Sequence, residues 1–350
     1  MTRRTATLSL AAVLVVVLLG LALLRPVPFV TLSPGPTRNT LGSFEGRQIV
    51  QISGHKVYPT KGALDLTTVR VTKPTANVSL VDAISAWFDP HREVLPRDVI
   101  YPPNQSAAQS EALNAEEMQT SQQSAIVAAL HELGIPTPST VVVSAITQGA
   151  PALGHLKAGD QIVTVNGTDI ATPEDVGKAL QQTDPGGTAT FVVKRAGKTV
   201  TVTSPTEADS ADPQRTIVGI SVGNGYDLPF KINVDVGQSI GGPSAGTVFA
   251  LAIYDKLTPG ALTGGAAIAG TGEISVDGQV GSIGGIQQKI AGANASGASI
   301  FLVPSPNCAE ALGADVSPGD IQLVKITTLH DAVTSLQALA ADPSAPVPAC

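Results

Sequence analysis

Residues 241–289 read GGPSAGTVFALAIYDKLTPGALTGGAAIAGTGEISVDGQVGSIGGIQQK. Ser244 stands among Gly, Pro and Ala, directly before an apolar helical pattern formed by Val248, Leu251, Ala252 and Leu257. That spacing puts Ser244 at the first turn of a helix, where unpaired N–H groups and the positive dipole end favour an anion. Its small neighbours, Gly242, Ala245 and Gly246, leave room for another backbone to approach. After a turn at Pro259-Gly260, the stretches Ala266–Ile274 and Gln279–Ile283 read as strands joined by the Asp277-Gly278 hairpin signal. Gly284-Gly285 then leads into a second helix, which carries Lys289.

A serine and an amine form a nucleophile and base pair if the lysine is neutral near pH 7. Burial in apolar surroundings lowers a lysine pKa, because it disfavours the charged form. Ile286, Ile290, Ala291 and Ala293 flank Lys289, and the nearest acids in sequence, Asp277 and Glu273, fall on the preceding hairpin. Taken singly, Ser244 reads as a helix cap and Lys289 as a surface lysine. The order of motifs changes that reading. GPSAG, then Thr271-Gly272-Glu273, then DGxVxxIGGIxxK and the Ala293–Ala298 AxxxGA run resemble the Lon-type Ser–Lys peptidase domain over residues 215–340. The resemblance implies an α/β (α+β) proteolytic domain with Ser244 as nucleophile, Lys289 as general base and Thr271 orienting the lysine. Gly241 stands where that family often has an aspartate, so no carboxylate role carries over there.

Upstream, residues 138–206 run strand, GAPA turn, LKAGD, strand, Asn166-Gly167 hairpin, a helix at Pro173–Gln182 and two further strands. The GAPAxxxxLKAGDxIxxVNG run resembles a bacterial PDZ domain, a small β-rich fold. The resemblance implies an extended peptide added at a sheet edge, its carboxylate held by backbone N–H groups at Leu133–Ser139. The peptidase stretch after this unit is short for a Lon-type domain. Residues 45–133 are therefore expected to pack with it, and the PDZ unit to be an insertion. Within 45–133, Gln48–Ile52, Gly62–Thr68 and Val69–Thr72 read as strands. Ser79–Phe88 reads as a helix capped by Ser79 with Trp87 on its apolar side, residues 89–111 as a loop, and 112–133 as an amphipathic helix. Glu207–Gln214 reads as a polar linker, followed by peptidase strands Thr216–Val222 and Pro229–Asp235.

At the front, Arg3 and Arg4 precede the apolar run Leu8–Leu24, closed by Arg25-Pro26. As a helix this run spans about 25 Å, enough for a single-pass anchor. The arginines put its start in the cytoplasm and the bulk of the chain outside; a cleaved signal peptide is the rival reading for residues 1–25. Residues 26–44 read as a Pro/Gly-rich surface linker and 341–350 as a poorly ordered tail. The only two cysteines, Cys308 and Cys350, suit a disulfide outside the cytoplasm.

A length of 350 residues with 43% hydrophobic content holds two domains with cores. A net charge of −7 and 3% aromatics argue against nucleic acid as a partner. Two cysteines and five scattered histidines show no metal-ligand spacing, and no cofactor is implied. The chain has no GxxxxGK[ST] loop for ATP. The expected function is thus a membrane-tethered, ATP-independent serine endopeptidase acting on protein or peptide substrates, with self-association into a homo-oligomer left open. The alternative is a PDZ scaffold with an inactive peptidase-like domain, which would have no need of Ser244, Lys289 and Thr271 together. A peptidoglycan-directed acyl enzyme would want Ser-x-x-Lys, and no lysine stands close after Ser244.

Overall fold

The run Ile300–Pro304 is buried at every position and pairs in parallel with a strand on either side, Ala267–Gly270 and Gln322–Ile326. A continuous apolar run is what a strand covered on both faces requires. Ala63–Leu66 joins the far side of Ala267–Gly270, also parallel, and Arg38–Asn39 closes the five-stranded sheet antiparallel to it. The computed structural model describes residues 3–237, 240–317 and 319–350. Its helices, in chain order, are α1 (Arg3–Leu24), α2 (Leu80–Trp87), α3 (Arg97–Ile100), α4 (Ala107–Glu132), α5 (Pro173–Leu180), α6 (Gly246–Leu257), α7 (Ile286–Ala295), α8 (Cys308–Ala311) and α9 (Leu329–Ala341).

The chain forms two compact units: residues up to Ile135 together with Phe230–Cys350, and Pro136–Pro229 between them. In the first unit α4 packs against α6, and α6 is buried over nearly its whole length. Ile286, Ile290 and Ala293 of α7 share a core with Ala269, Phe301 and Val303 of the sheet. The halves of the unit on either side of the insertion share sheets. Besides Ala63–Leu66 beside Ala267–Gly270, Val50–Ser53 pairs antiparallel with Lys231–Val234. A separate three-stranded sheet orders Glu93–Pro96, Phe29–Pro34 and Val69–Val71.

The second unit is a β-rich sheet with strands in the order Lys198–Pro205, Thr188–Arg195, Gln161–Val165, Ser139–Ile146 and Ile220–Tyr226, with α5 packed on it. Phe191, Val193, Val141 and Val143 fill its core with Val176 and Ala179 of α5. Asn166 and Gly167 both take positive φ, as the hairpin signal demands. The Asn166 side chain then ties that turn to α5 through Ala179 O at 3.1 Å.

Several sequence expectations are corrected. The Ile220–Tyr226 strand belongs to the second unit, not to the peptidase: it pairs with Ser139–Ile146 along its whole length. The polar stretch after Thr206 is an excursion within that unit, where Glu207–Ala208 pairs with Thr216–Ile217, rather than a boundary. Residues 26–44 are not a linker, because Phe29–Pro34 is the middle strand of its sheet with Val30 and Leu32 buried. Residues 89–111 are not a loop but hold Glu93–Pro96, α3 and the start of α4. α4 starts five residues ahead of the expected Ala112, because Ser106 and Gln109 form a reciprocal capping box. Ala266–Ile274 is two strands broken at Gly272, whose φ of +148° no ordinary strand holds. Trp87 is 74% exposed, since α2 buries Ala83 and Ala86 instead.

The tail is ordered: Cys350 is disulfide-bonded to Cys308, Ala349 bridges Val324, and Lys325 N donates to Pro348 O at 2.9 Å. Closing a loop with a sequence separation of 42 is worth at most about 4 kcal/mol in the chain-entropy model. Alkylating the unfolded, unreduced protein should therefore label neither cysteine, and Cys350→Ser should lower the unfolding free energy by up to that amount. Two labelled thiols in exported protein would remove the bridge.

Candidate active site

Ser244 stands just ahead of α6, whose N-cap is Ala245, so the serine hydroxyl is not used in capping. The chain before it is held by α4: Gly242 N donates to Asn114 O at 3.0 Å, and Ser121 Oγ to Pro243 O at 2.8 Å. The start of α6 is satisfied by the turn after Ala267–Gly270, with Thr247 N and Oγ1 both donating to Gly272 O at 3.1 Å. In return Gly272 N donates to Ser244 O at 2.8 Å. A side chain at position 272 would place its Cβ 2.5 Å from Thr247 Oγ1, so glycine is required by space as well as by φ.

Lys289 lies on the first turn of α7, which opens on left-handed Gly285 (φ +67°). Lys289 and Thr271 are buried, and Ser244 is half-buried. The lysine Nζ lies 2.9 Å from Ser244 Oγ and 2.9 Å from Thr271 Oγ1. Thr271 Oγ1 donates its single proton to Ser244 O at 3.0 Å. It must therefore accept from Lys289, which leaves the amine's remaining valences for the serine. The structure thus brings together all three residues singled out in the sequence.

Among the described residues no carboxylate lies within ion-pair distance of Lys289. Burial pulls the ammonium down to about 7, and the more distant Glu273 opposes this only in part. Burial raises the Glu273 carboxyl in turn, helped by Glu117 and opposed by Lys289. A neutral amine 2.9 Å from a hydroxyl is placed to take its proton. Both groups line a cavity of about 500 Å³ with Met118, Ile240, Glu273 and the contiguous stretch Leu66–Arg70.

Leu133–Ser139 does not form the expected carboxylate loop. Ile135 N closes α4 on Leu130 O at 2.8 Å, and the Ser139–Ile146 strand has a neighbour on each edge. The groove lies elsewhere, between α5 and residues 216–222, with a volume of about 730 Å³. At its end Val218 O and Gly219 O accept from Ala152 N and Thr147 N, whereas among the described residues the N–H groups of Val218 and Gly219 have no partner. Gly219 has φ +72°. The Ile217-Val218-Gly219-Ile220 pattern, apolar around one glycine, was the available sequence signal.

Residues 116–206 match the family model for the PDZ domain, and residues 232–335 that for the Lon protease (S16) C-terminal proteolytic domain. The first match stops short of the Ile220–Tyr226 strand that completes the sheet. The chain thus carries a PDZ domain and a Lon-type proteolytic domain, a combination that supports a serine protease with a PDZ unit. No curated protein matches it. Similar solved structures include the PDZ domain of the SdrC-like protein of Listeria monocytogenes, 21% identical, covering 24% of this chain and 86% of that one, TM-score 0.22. The corresponding domain from Listeria innocua is 23% identical, covering 24% and 92%, TM-score 0.22. A solution structure from Geobacillus thermodenitrificans is 23% identical, covering 23% and 94%, TM-score 0.22.

The lysine carries a stability signature. Its folded pKa of about 7 lies below its ordinary 10.5, so the unfolded chain binds a proton that the folded chain lacks between those values. Stability from this group is full above 10.5 and is lost as pH falls toward 7. Lys289→Met should remove that slope and stabilise the protein at pH 7 and below by at most about 5 kcal/mol. Chemical denaturation of both forms across pH 6 to 10 checks it; parallel curves would mean an uncharged lysine is not what the fold prefers.

Proposed function

We propose that the chain is a membrane-tethered, ATP-independent serine endopeptidase in which Ser244 is the nucleophile, Lys289 the general base and Thr271 the residue that orients the lysine. The observation that carries this reading is a buried amine with a pKa of about 7, 2.9 Å from both hydroxyls. Lys289 takes the Ser244 proton as Oγ attacks the scissile carbonyl. The protonated amine then delivers that proton to the leaving nitrogen as the C–N bond breaks, giving an acyl-enzyme and a free amine. Water, deprotonated by the same lysine, releases the acid and restores the hydroxyl. Among the described residues the N–H groups of Ser244 and Ala245 have no partner, and they stand at the positive end of α6, where the carbonyl oxygen develops charge. An extended substrate lies along Leu66–Arg70, which gives the cavity one continuous backbone wall.

The PDZ unit positions protein substrates. Its groove beside α5 ends in the unpartnered N–H groups of Val218 and Gly219, which suit a chain-terminal carboxylate. Membrane attachment is assigned to α1, whose Arg3–Leu21 stretch has a mean hydropathy of 2.1 and no burial. The arginines at its start place the bulk of the chain outside the cytoplasm. ATP-independence rests on the lack of a phosphate-binding loop in this sequence.

Ser244→Ala and Lys289→Met should each reduce cleavage of an unfolded protein substrate by several orders of magnitude. The double variant should be hardly worse, because the pair acts as a unit. In the wild type kcat/KM should climb with pH around a midpoint near 7, as the lysine loses its proton. Retained turnover in Lys289→Met, or a flat profile from pH 5 to 9, excludes the lysine as base. Removing residues 136–229 should slow protein substrates more than short peptides; equal losses would assign that unit to shaping the active site.

A further inference from the structure

Soluble helices bury their large apolar side chains and expose polar ones. Helix α2 instead exposes its large apolar side chains together with polar Asp82 and Ser85. Its packed face is Ala83 (7% exposed) and Ala86 (0%), while Val81, Ile84 and Trp87, with Phe88 at its C-cap, point outward; Trp87 is 74% and Phe88 81% exposed. Val81, Ile84 and Phe88 follow the i, i+3, i+7 spacing of one helix face. Phe29 and Val99 are exposed nearby, on a strand and a helix joined by the Arg97 N to Pro28 O bond at 2.9 Å. Among the described residues, the other large exposed apolar residues outside α1 are Val57, Leu113, Leu153 and Leu312, scattered singly. An apolar group of this kind on an otherwise polar surface marks a contact.

Its place in the fold says which contact. Leu80 N, at the start of α2, donates to the carbonyl of Arg25, the residue that ends the α1 apolar segment, at 3.2 Å. Pro26 and Val27 pair with Ser79 and Val78, so the chain leaving α1 is laced directly to the chain entering α2. If α1 spans the bilayer, α2 lies at the level of the lipid headgroups. We propose that the outer face of α2 is seated in the headgroup and acyl boundary of the same membrane, with Trp87 and Phe88 as its aromatic anchors. This rests on the reading of α1 as a membrane anchor. Aromatic residues at this depth and apolar helix faces lying in the interface are established membrane contacts. Charge contributes little: between residues 70 and 100, Arg70, Lys73, Arg92 and Arg97 face Asp82, Asp89, Glu93 and Asp98 in equal number. The attachment is therefore by apolar insertion and takes neutral lipid. α2 packs on the Phe29–Pro34 strand, which pairs with the strand bearing Val69 and Arg70 of the catalytic cavity. A second point of attachment thus fixes the cavity at one height above the bilayer instead of leaving it to swing on a tether.

Trp87 is the only tryptophan in the chain, so intrinsic fluorescence reports on this site alone. The full chain is reconstituted into neutral phosphatidylcholine vesicles, with or without bromine on the acyl chains, and attachment is measured separately by flotation after alkaline washing. The expected result is blue-shifted Trp87 emission, shielded from iodide and lost in brominated vesicles. Ile84→Glu should restore iodide access and abolish bromine quenching while the protein still floats. Wild-type protein that floats but has an iodide-accessible Trp87 overturns the proposal and leaves the anchor intact. Protein that does not float overturns the anchor instead. Shielding from iodide without bromine quenching, growing with protein concentration, means that a second copy covers the face, and the lipid assignment falls.

Discussion

The candidate site turns on one amine, that of Lys289, kept out of water. Lys289 is almost completely buried with no carboxylate within ion-pair distance among the described residues, and a charge in that position is several kcal/mol less favourable than the same charge in water. The fold meets that cost by enclosing the amine with two hydroxyls and apolar chain, so the neutral form is the comfortable one. The local backbone follows from the same need. Gly272 turns where no side chain fits, and its N–H and C=O tie Ser244 to the first turn of α6. Left-handed Gly285 starts α7 so that Lys289 comes one turn later, with its own N–H on Gly285 O.

Ser244, Thr271 and Lys289 were legible because each belongs to a short motif whose local requirements are severe: small residues before a helix, a glycine turn, an apolar helix start. What the sequence hid is non-local. Ile220–Tyr226 has strand character, but which sheet it joins is decided by its fit to Ser139–Ile146, many residues away. The same holds for Phe29–Pro34, which looks like linker because the flanking Pro26, Pro28, Gly35 and Pro36 obscure the buried Val30 and Leu32. The early start of α4 was readable from Ser106 and Gln109, a reciprocal cap among polar residues that carry no apolar period. Trp87 shows the limit of amphipathic reasoning. Side-chain size suggests which face is apolar, but alanines can be the face that packs.

The two units divide the work differently. The PDZ sheet is made from one continuous stretch of chain, so its groove is built by neighbours in sequence: α5, the turn at Val218-Gly219 and the last strand. The catalytic unit is made from both ends. α4, from before the insertion, holds the loop that presents Ser244, from after it. Ala63–Leu66 lies beside Ala267–Gly270, and Thr67 Oγ1 donates to Gly270 O at 3.0 Å, immediately before Thr271. The site therefore depends on the early part of the chain for its walls and on the late part for its chemistry.

That division sets an order of assembly during synthesis. The middle unit is contiguous and can close as soon as it emerges, because its contacts are short in sequence. The catalytic unit cannot: the strands Ile300–Pro304 and Gln322–Ile326, and the cysteine that closes the tail on Cys308, come last. Until they arrive, the core that α7 shares with Ala269 lacks Phe301 and Val303. The buried arrangement of Ser244, Thr271 and Lys289 is thus complete only when the last two strands of the sheet are in place.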